Sequence, residues 1–229
     1  MKAKIAITGA NGTIGTVMRK ALTDYDIVPL DLPQVDVRDY NVVLQAIKGC
    51  RAVIHLAWNV KDDNWETGRI SPDNDVMTFN VYEACFRGGV PRAIMASSVH
   101  ADNFMKWNGK ALMNTTTVPI PTSPYGANKV FMEALGRFYA QVGLEVVCIR
   151  FGSVSKEDVP GTKGWDWRKV WLSHRDLASM VRRCLEVEKI PNNYAVFYAV
   201  SNNALRVHDW DNPLNWAPVD DAFASKNNC

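Results

Sequence analysis

The chain has too little cysteine, too short a run of apolar residues and too even a charge for several broad classes of protein. Its five cysteines, Cys50, Cys85, Cys148, Cys184 and Cys229, are odd in number, scattered, and never spaced as Cys-x-x-Cys. That pattern excludes a disulfide framework and a zinc site, and no metal is expected. Four of them sit in apolar stretches and read as small buried hydrophobes. No apolar run approaches the ~20 residues of a membrane span. The opening "MKAKIAITGANG" reaches glycine before a signal-peptide apolar region can develop. A cytoplasmic protein with no membrane partner is the expectation. Formal charge is +2 at pH 7, with acids and bases interspersed. Nucleic acid therefore has no electrostatic footprint here, nor does an anionic lipid surface. Repeats and low-complexity tracts are missing too. What remains is 229 residues, 47% of them apolar, enough for one domain around a substantial core with a small organic ligand.

Short apolar runs alternate with amphipathic stretches. "AKIAIT", "DIVPLD", "RAVIHLAW", "RAIMASS", "LEVVCIRFGSV" and "AVFYAVS" read as strands. Between them, "TIGTVMRKALTD", "NVVLQAIKG", "NDVMTFNVYEACFRGG", a segment from Ser123 to about Val142, and "SHRDLASMVRRCLEVE" read as helices. This alternation predicts an α/β fold, a doubly wound parallel sheet in a single domain, 1–229. Ligands of such sheets bind beyond the carboxyl ends of the strands. Only a few residues separate "VPLD" from "VDVRD", whereas a parallel crossover takes about a dozen or more. The third strand is therefore short or missing and the sheet edge is trimmed.

In "TGANGTIG", Gly9, Gly12 and Gly15 follow the first strand at the mouth of a helix. Glycines there suit a tight turn, close backbone approach to a pyrophosphate, and tight helix–strand packing. The helix N-terminus offers unpaired N–H groups and partial positive charge. Asp31 ends the second strand, where a carboxylate accepts ribose hydroxyls and repels a 2′-phosphate, favouring NAD over NADP. Its alternative role is a turn residue before Pro33.

"SPYGANK" carries the second signal. Ser123 suits an N-cap and Pro124 the first helical position. Tyr125 and Lys129 then share one helix face at i and i+4. A phenol with a pKa of about 10 is a poor base at neutral pH. A neighbouring ammonium and a helix N-terminus favour the phenolate, making the pair a proton acceptor for an alcohol that loses hydride. Outside a nucleotide-binding context the same pair reads as a surface contact. Ser97 and Ser98 end the strand "AIMASS", with Ser98 the better hydroxyl donor; turn formation is the other use of such serines. His100 reads either as a ligand contact or as a loop histidine.

Taken together, "TGANGTIG", "DVRD", "HLAW", "SS" and "YGANK" resemble the extended short-chain dehydrogenase/reductase superfamily, in its NAD-dependent epimerase/dehydratase branch. The likeness runs from Met1 to about Val154. It implies a Rossmann-like NAD-binding core over 1–154 and a small substrate lobe with a returning helix and strand over 155–229. It further implies Tyr125 as base, Lys129 on the nicotinamide ribose, and Ser98 on the substrate hydroxyl. Thr13 and Ile14 would touch the pyrophosphate, Asp36 and Val37 the adenine, and Leu56, Ala57 and Trp58 the ribose side. "ASSVHA", "IRFGSV", "WLSHRDL", "WDN" and "NWAPVDDA" are similar to uronate dehydrogenases and related haloarchaeal sugar dehydrogenases. In that group hydride passes to NAD from C1 of a cyclic hexuronic acid, giving an aldarolactone. Ser153 and Arg168 would hold the substrate, the arginine at its carboxylate; Arg168 otherwise reads as a surface charge. Val99 stands where the group carries an asparagine, which removes an amide from the sugar site. A homodimer through the Tyr125 helix and its neighbour is also implied.

Nucleotide-sugar 4-epimerases and dehydratases share these motifs but carry a larger C-terminal lobe. Here about eighty residues follow Arg150, which favours a small free sugar. Trp165, Trp167 and Trp171 would roof that sugar or pack the core. An NAD-sensing regulator without catalysis is the reading from another class. Residues 102–119 match nothing that assigns them a role.

Overall fold

The structure is a computed structural model and describes residues 2–64 and 66–224; Cys229 lies outside the described residues. Six strands make one parallel sheet: β1 (Lys4–Thr8), β2 (Asp26–Leu30), β3 (Ala52–His55), β4 (Arg92–Ser98), β5 (Glu145–Phe151) and β6 (Tyr194–Ala199). Their order across the sheet is β2-β1-β3-β4-β5-β6, and every neighbouring pair is parallel. Five helices connect them: α1 (Thr13–Ala21), α2 (Tyr40–Ala46), α3 (Pro72–Gly88), α4 (Pro124–Gln141) and α5 (His174–Glu186).

The near-continuous apolar strands are explained by two buried faces. Successive side chains on a strand point to opposite sides. Ile5, Ile7, Ile54, Ile94 and Val147 pack with α1 and α5 through Met18, Leu177 and Val181. Ala6, Val53, Ala93, Met95 and Val146 pack with α2, α3 and α4 through Val43, Val81 and Met132. Cys50, Cys85, Cys148 and Cys184 are buried and unpaired, as expected of small apolar residues.

The trimmed edge is as expected. β2 is the edge strand, and there Pro29 can lack an N–H without breaking a ladder between two neighbours. The chain then runs straight to Asp39, whose carboxylate caps α2 by accepting from the N–H groups of Asn41 and Val42. Four short 3₁₀ turns were not foreseen from the sequence, and α1 ends at Ala21, short of the expected Asp24. Tertiary packing sets both features, and apolar periodicity does not report it. Among the described residues, no helix is long and apolar enough to cross a membrane.

The helix and strand expected to return in the C-terminal segment are α5 and β6. β6 extends the main sheet beside β5, and α5 lies in the same apolar layer as α1. Beneath the carboxyl end of the sheet lies a buried ionic cluster that the sequence did not announce. Arg150, 1% exposed, donates from Nε and Nη2 to Glu133 of α4, both at 2.8 Å. Its Nη1 donates to Asp102 and to the Tyr198 hydroxyl. Asp102 also accepts from the Ile120 N–H at 2.9 Å. The cluster ties α4, β5, β6 and the loop after β4 together, and so gives part of the 102–119 segment a structural role.

Candidate active site

Gly9, φ +64°, turns the chain out of β1, and a Cβ there would lie 2.7 Å from the Ala57 nitrogen. Gly15, inside α1, has no room for a Cβ either: it would meet the Gly9 carbonyl at 2.6 Å. The loop and the helix are thus pressed together, as close phosphate approach requires. Gly12 is the N-cap of α1 and no side chain caps that end. The first N–H groups of a helix lack an internal partner, and the residues that carry them here, Thr13, Ile14 and Gly15, line a cavity.

That cavity holds about 710 Å³ and runs from Gly12, Thr13, Ile14 and Gly15 to Asp31, Asp36 and Val37, and back to Leu56, Ala57 and Trp58. Every residue expected on the nucleotide from Gly9 to Trp58 lines it, and the volume suits a cofactor. Asp31 is held with one oxygen on the Asn11 N–H (2.8 Å) and the other on the Leu32 N–H (2.9 Å). Each oxygen keeps capacity for a ribose hydroxyl. Asp36 grips Arg38 at 2.6 Å, and Arg38 also reaches Asp73 at 3.1 Å. The one guanidinium in the cavity lining is thereby matched by two carboxylates, which suits NAD better than a 2′-phosphate. Arg38, Asn59, Met77, Ala96 and Val154 also line the cavity; no short motif marks them. Thr8 joins the tips of β1 and β3, accepting from the Leu56 and Ala57 N–H groups at 3.1 Å and meeting His55 Nδ1 at 2.8 Å.

The second group forms where α4 meets the end of β4. Ser123 caps α4 and accepts from the Gly126 N–H. Gly126 lies flush on the loop after β4, since a Cβ would fall 2.0 Å from the His100 carbonyl oxygen. This contact brings the Tyr125 phenol next to Ser98, which lowers the phenol's pKa. Ser98 accepts from the His100 N–H at 3.2 Å, leaving its own proton free for another acceptor. The His100 ring stands edge-on to Tyr125 at 5.8 Å and bonds Thr122 through Nδ1 at 2.9 Å. Burial holds its pKa near 4, so it is neutral at physiological pH.

Lys129 is buried, 4% exposed, and donates to the Ala96 carbonyl at 2.8 Å. Its ammonium lies 3.2 Å from the centre of the Trp58 ring and 5.6 Å from that of Tyr125. The electrostatics differ from the sequence expectation. Burial pushes the Tyr125 phenol up to about 12, the Ser98 hydrogen bond pulls it down, and the Asp63 charge raises it. Lys129, pushed down to about 7 by burial, is not among the groups that set that value. Removal of water from both groups outweighs the attraction between them.

The substrate residues are less tightly gathered. Ser153 lies two residues past β5 and is paired with Trp171 in a short bridge beside Val154 of the cavity. Arg168 is exposed, held by Asp166 at 2.8 and 3.1 Å, with its guanidinium 4.4 Å above the Phe223 ring. No hydrogen bond or ring contact ties it to Tyr125 or Ser98 among the described residues. Of the two uses foreseen for the tryptophans, core packing is the one seen. Trp165 packs edge-on against Phe104 at 5.1 Å, and Phe104 packs against His100 at 5.1 Å. Trp171 is 8% exposed and belongs to the interior.

Known proteins match this arrangement. The sequence profile of the NAD dependent epimerase/dehydratase family matches residues 5–164. An L-arabinose 1-dehydrogenase (NAD(P)(+)) of Haloferax volcanii is 32% identical over 88% of this chain and 89% of its own length. A uronate dehydrogenase of Pseudomonas syringae is 30% identical over 95% of this chain and 82% of its own length. The crystal structure of uronate dehydrogenase from Agrobacterium tumefaciens superposes with a TM-score of 0.80 at 26% identity, covering 96% of this chain and 86% of that one. A mutant of that enzyme complexed with NAD gives 0.79 over 97% and 86%. With a glycine cavity at the tips of β1 to β3 and a Ser–Tyr–Lys group at the tip of β4, the chain belongs to the NAD-dependent epimerase/dehydratase family.

Proposed function

We propose that this protein is a cytoplasmic NAD-dependent dehydrogenase that oxidises the C1 hydroxyl of a cyclic sugar, a hexuronic acid or a related aldose. The observation that carries the reading is the gathering of Ser98, Tyr125 and Lys129, the ammonium 5.6 Å from the phenol ring, near the glycine cavity. In this reaction class C1 loses a hydride, its hydroxyl loses a proton, and a lactone carbonyl forms. When bound, NAD supplies the ring that accepts the hydride. Tyr125, as the phenolate, takes the proton at its oxygen and becomes the neutral phenol, Ser98 orients the hydroxyl through its own O–H, and neutral His100 borders the sugar. Gly12, Thr13 and Gly15 hold the pyrophosphate, Asp31 the adenosine ribose, and Lys129 the nicotinamide ribose. Ser153 and Arg168 contact the sugar from the C-terminal segment; Arg168 releases Asp166 when it binds a carboxylate. The sugar substrate is supported by the similarity to L-arabinose 1-dehydrogenase and uronate dehydrogenase.

A screen of uronic acids, neutral aldoses and sugar phosphates with NAD tests the reading through the ultraviolet absorbance of NADH. Growth with one sugar class supports it. Interconversion of UDP-hexoses without net NADH would reassign the protein as an epimerase, and NAD binding with neither activity would make it a regulator. A homodimer belongs to the same proposal. α3 exposes Val76, Phe79 and Phe86, and α4 exposes Phe131 and Phe138, with Val142 exposed just past its end, a surface suited to a second copy of the chain. Sedimentation at the monomer mass would remove that part.

A further inference from the structure

The segment after β3 carries a carboxylate that the proposed reaction does not yet use. Asp63 is fully buried. One of its oxygens accepts from Asn74 Nδ2 of α3 and from Asn128 Nδ2 of α4, each at 2.9 Å. The other has no hydrogen-bond partner. Its main-chain carbonyl accepts from Trp58 Nε1 at 3.1 Å, the same Trp58 whose ring covers the Lys129 ammonium at 3.2 Å. Asn128 is the chain neighbour of Lys129. The segment is pinned again where the Asn59 N–H donates to Asn74 Oδ1 at 2.7 Å.

A buried carboxylate is costly unless positive charge lies near. Among the described residues, no cation is within ion-pair distance of Asp63, and Lys129 is the cation on which its field acts. The groups that face Lys129 are few. Tyr125 and Glu133 lie on its own helix, His55 on β3, the Ala96 carbonyl on β4, and the Trp58 ring on the loop. Burial holds His55 near 3, so it contributes no charge at neutral pH. Glu133 is already matched by Arg150. Asp75 of α3 lies near Asp63, and its pKa is raised by burial and then by the Asp63 charge. Of the carboxylates around the amine, Asp63 is the one held in place by neutral amides alone.

We propose that Asp63 is a positioning residue for the reaction, acting through Lys129: it is the buried counter-charge that keeps the amine cationic, and its contacts with Asn128 and Trp58 fix where that amine lies. The inference rests on the assignment of Lys129 to the Tyr125 site. Burial pushes Lys129 down to about 7, and Asp63 is the foremost group pulling the other way. The same charge raises Tyr125. Its loss therefore moves the titration of both groups in one direction, to lower pH.

Asp63→Asn is the test, because an asparagine oxygen can still accept from Asn74 and Asn128 while the charge is gone. Lysine labelled with ¹³C reports Lys129 directly, its signal identified by its absence from Lys129→Met. The Lys129 midpoint is expected at lower pH in Asp63→Asn than in the wild type. A midpoint lower by about one pH unit cuts the cationic fraction above it about tenfold. An unchanged midpoint overturns the proposal. This readout needs no turnover, so it stands apart from any failure to find the sugar. With the substrate in hand, the pH profile of kcat/KM moves as a whole to lower pH; a lower profile at unchanged pH would mean a structural role and overturn the proposal. In the wild type alone, an Asp63 carboxyl ¹³C resonance showing the protonated form at pH 7 would also overturn it, whether or not the variant folds.

Discussion

Gly126→Ala perturbs the joint that brings Tyr125 to Ser98. The added Cβ would lie 2.0 Å from the His100 carbonyl oxygen and 2.9 Å from its carbon, both main-chain atoms, whereas ordinary contact begins near 3.4 Å. Neither partner is the tip of a flexible side chain, so the first turn of α4 and the loop after β4 must separate by about 1.4 Å. Overpacking of this kind costs about 1–3 kcal/mol of stability. Tyr125 is the residue before Gly126 and moves with it. A displacement near 1 Å in a catalytic constellation costs about 100-fold in rate. The lining of the nucleotide cavity does not include Gly126, so NAD affinity should hold. The assay pairs initial rates of NADH formation with NAD titration followed by tryptophan fluorescence. Wild-type kcat in Gly126→Ala would refute the claim that this contact positions the phenol. Loss of NAD binding together with activity would show a general collapse instead.

Other outcomes follow from the same geometry. Arg150→Met leaves Glu133 and Asp102 buried without their cation, and the loss is expected to be about 3–5 kcal/mol, read as a fall in Tm on the order of 10 °C; an unchanged Tm would contradict the cluster's role. Asp31→Ala removes the carboxylate held by the Asn11 and Leu32 N–H groups and should narrow the preference for NAD over NADP, measured as the ratio of kcat/KM values; a constant ratio argues that Asp31 serves only the turn. Arg168→Ala should raise KM for uronic acids and leave neutral aldoses unaffected, since its guanidinium otherwise engages Asp166 and Phe223. Equal effects on both sugar classes would remove it from the carboxylate.

The layout of strands and helices was legible because two buried faces impose long apolar runs on every strand, and because Ser123 and Pro124 mark the start of α4. β4 runs over the same residues, Arg92–Ser98, that the apolar pattern marked. The nucleotide cavity was legible for a similar reason: close approach leaves glycine no substitute at Gly9 and Gly15, and the carboxyl ends of β1 to β3 are fixed by connectivity. What depended on distant partners was not legible. Asp63 lies in a polar loop, and only folding brings Asn74 and Asn128 to it. Arg150 read as one more strand residue, although it holds Glu133 and Asp102 together. The phenol's electrostatics also went unseen, since spacing shows that Tyr125 and Lys129 are neighbours but not that both lose water. The part of Arg168 in the site was implied by likeness, and its pairing with Asp166, two residues away, could have been weighed from the sequence.

The central claim is that the Tyr125 oxygen, beside Ser98, receives the proton of the sugar hydroxyl. Tyr125→Phe removes that oxygen and little else. Single-turnover NADH formation with saturating sugar and NAD should fall by about 10²–10⁴-fold while NAD affinity stays at the wild-type value. Wild-type turnover in Tyr125→Phe would place the base elsewhere and contradict the account.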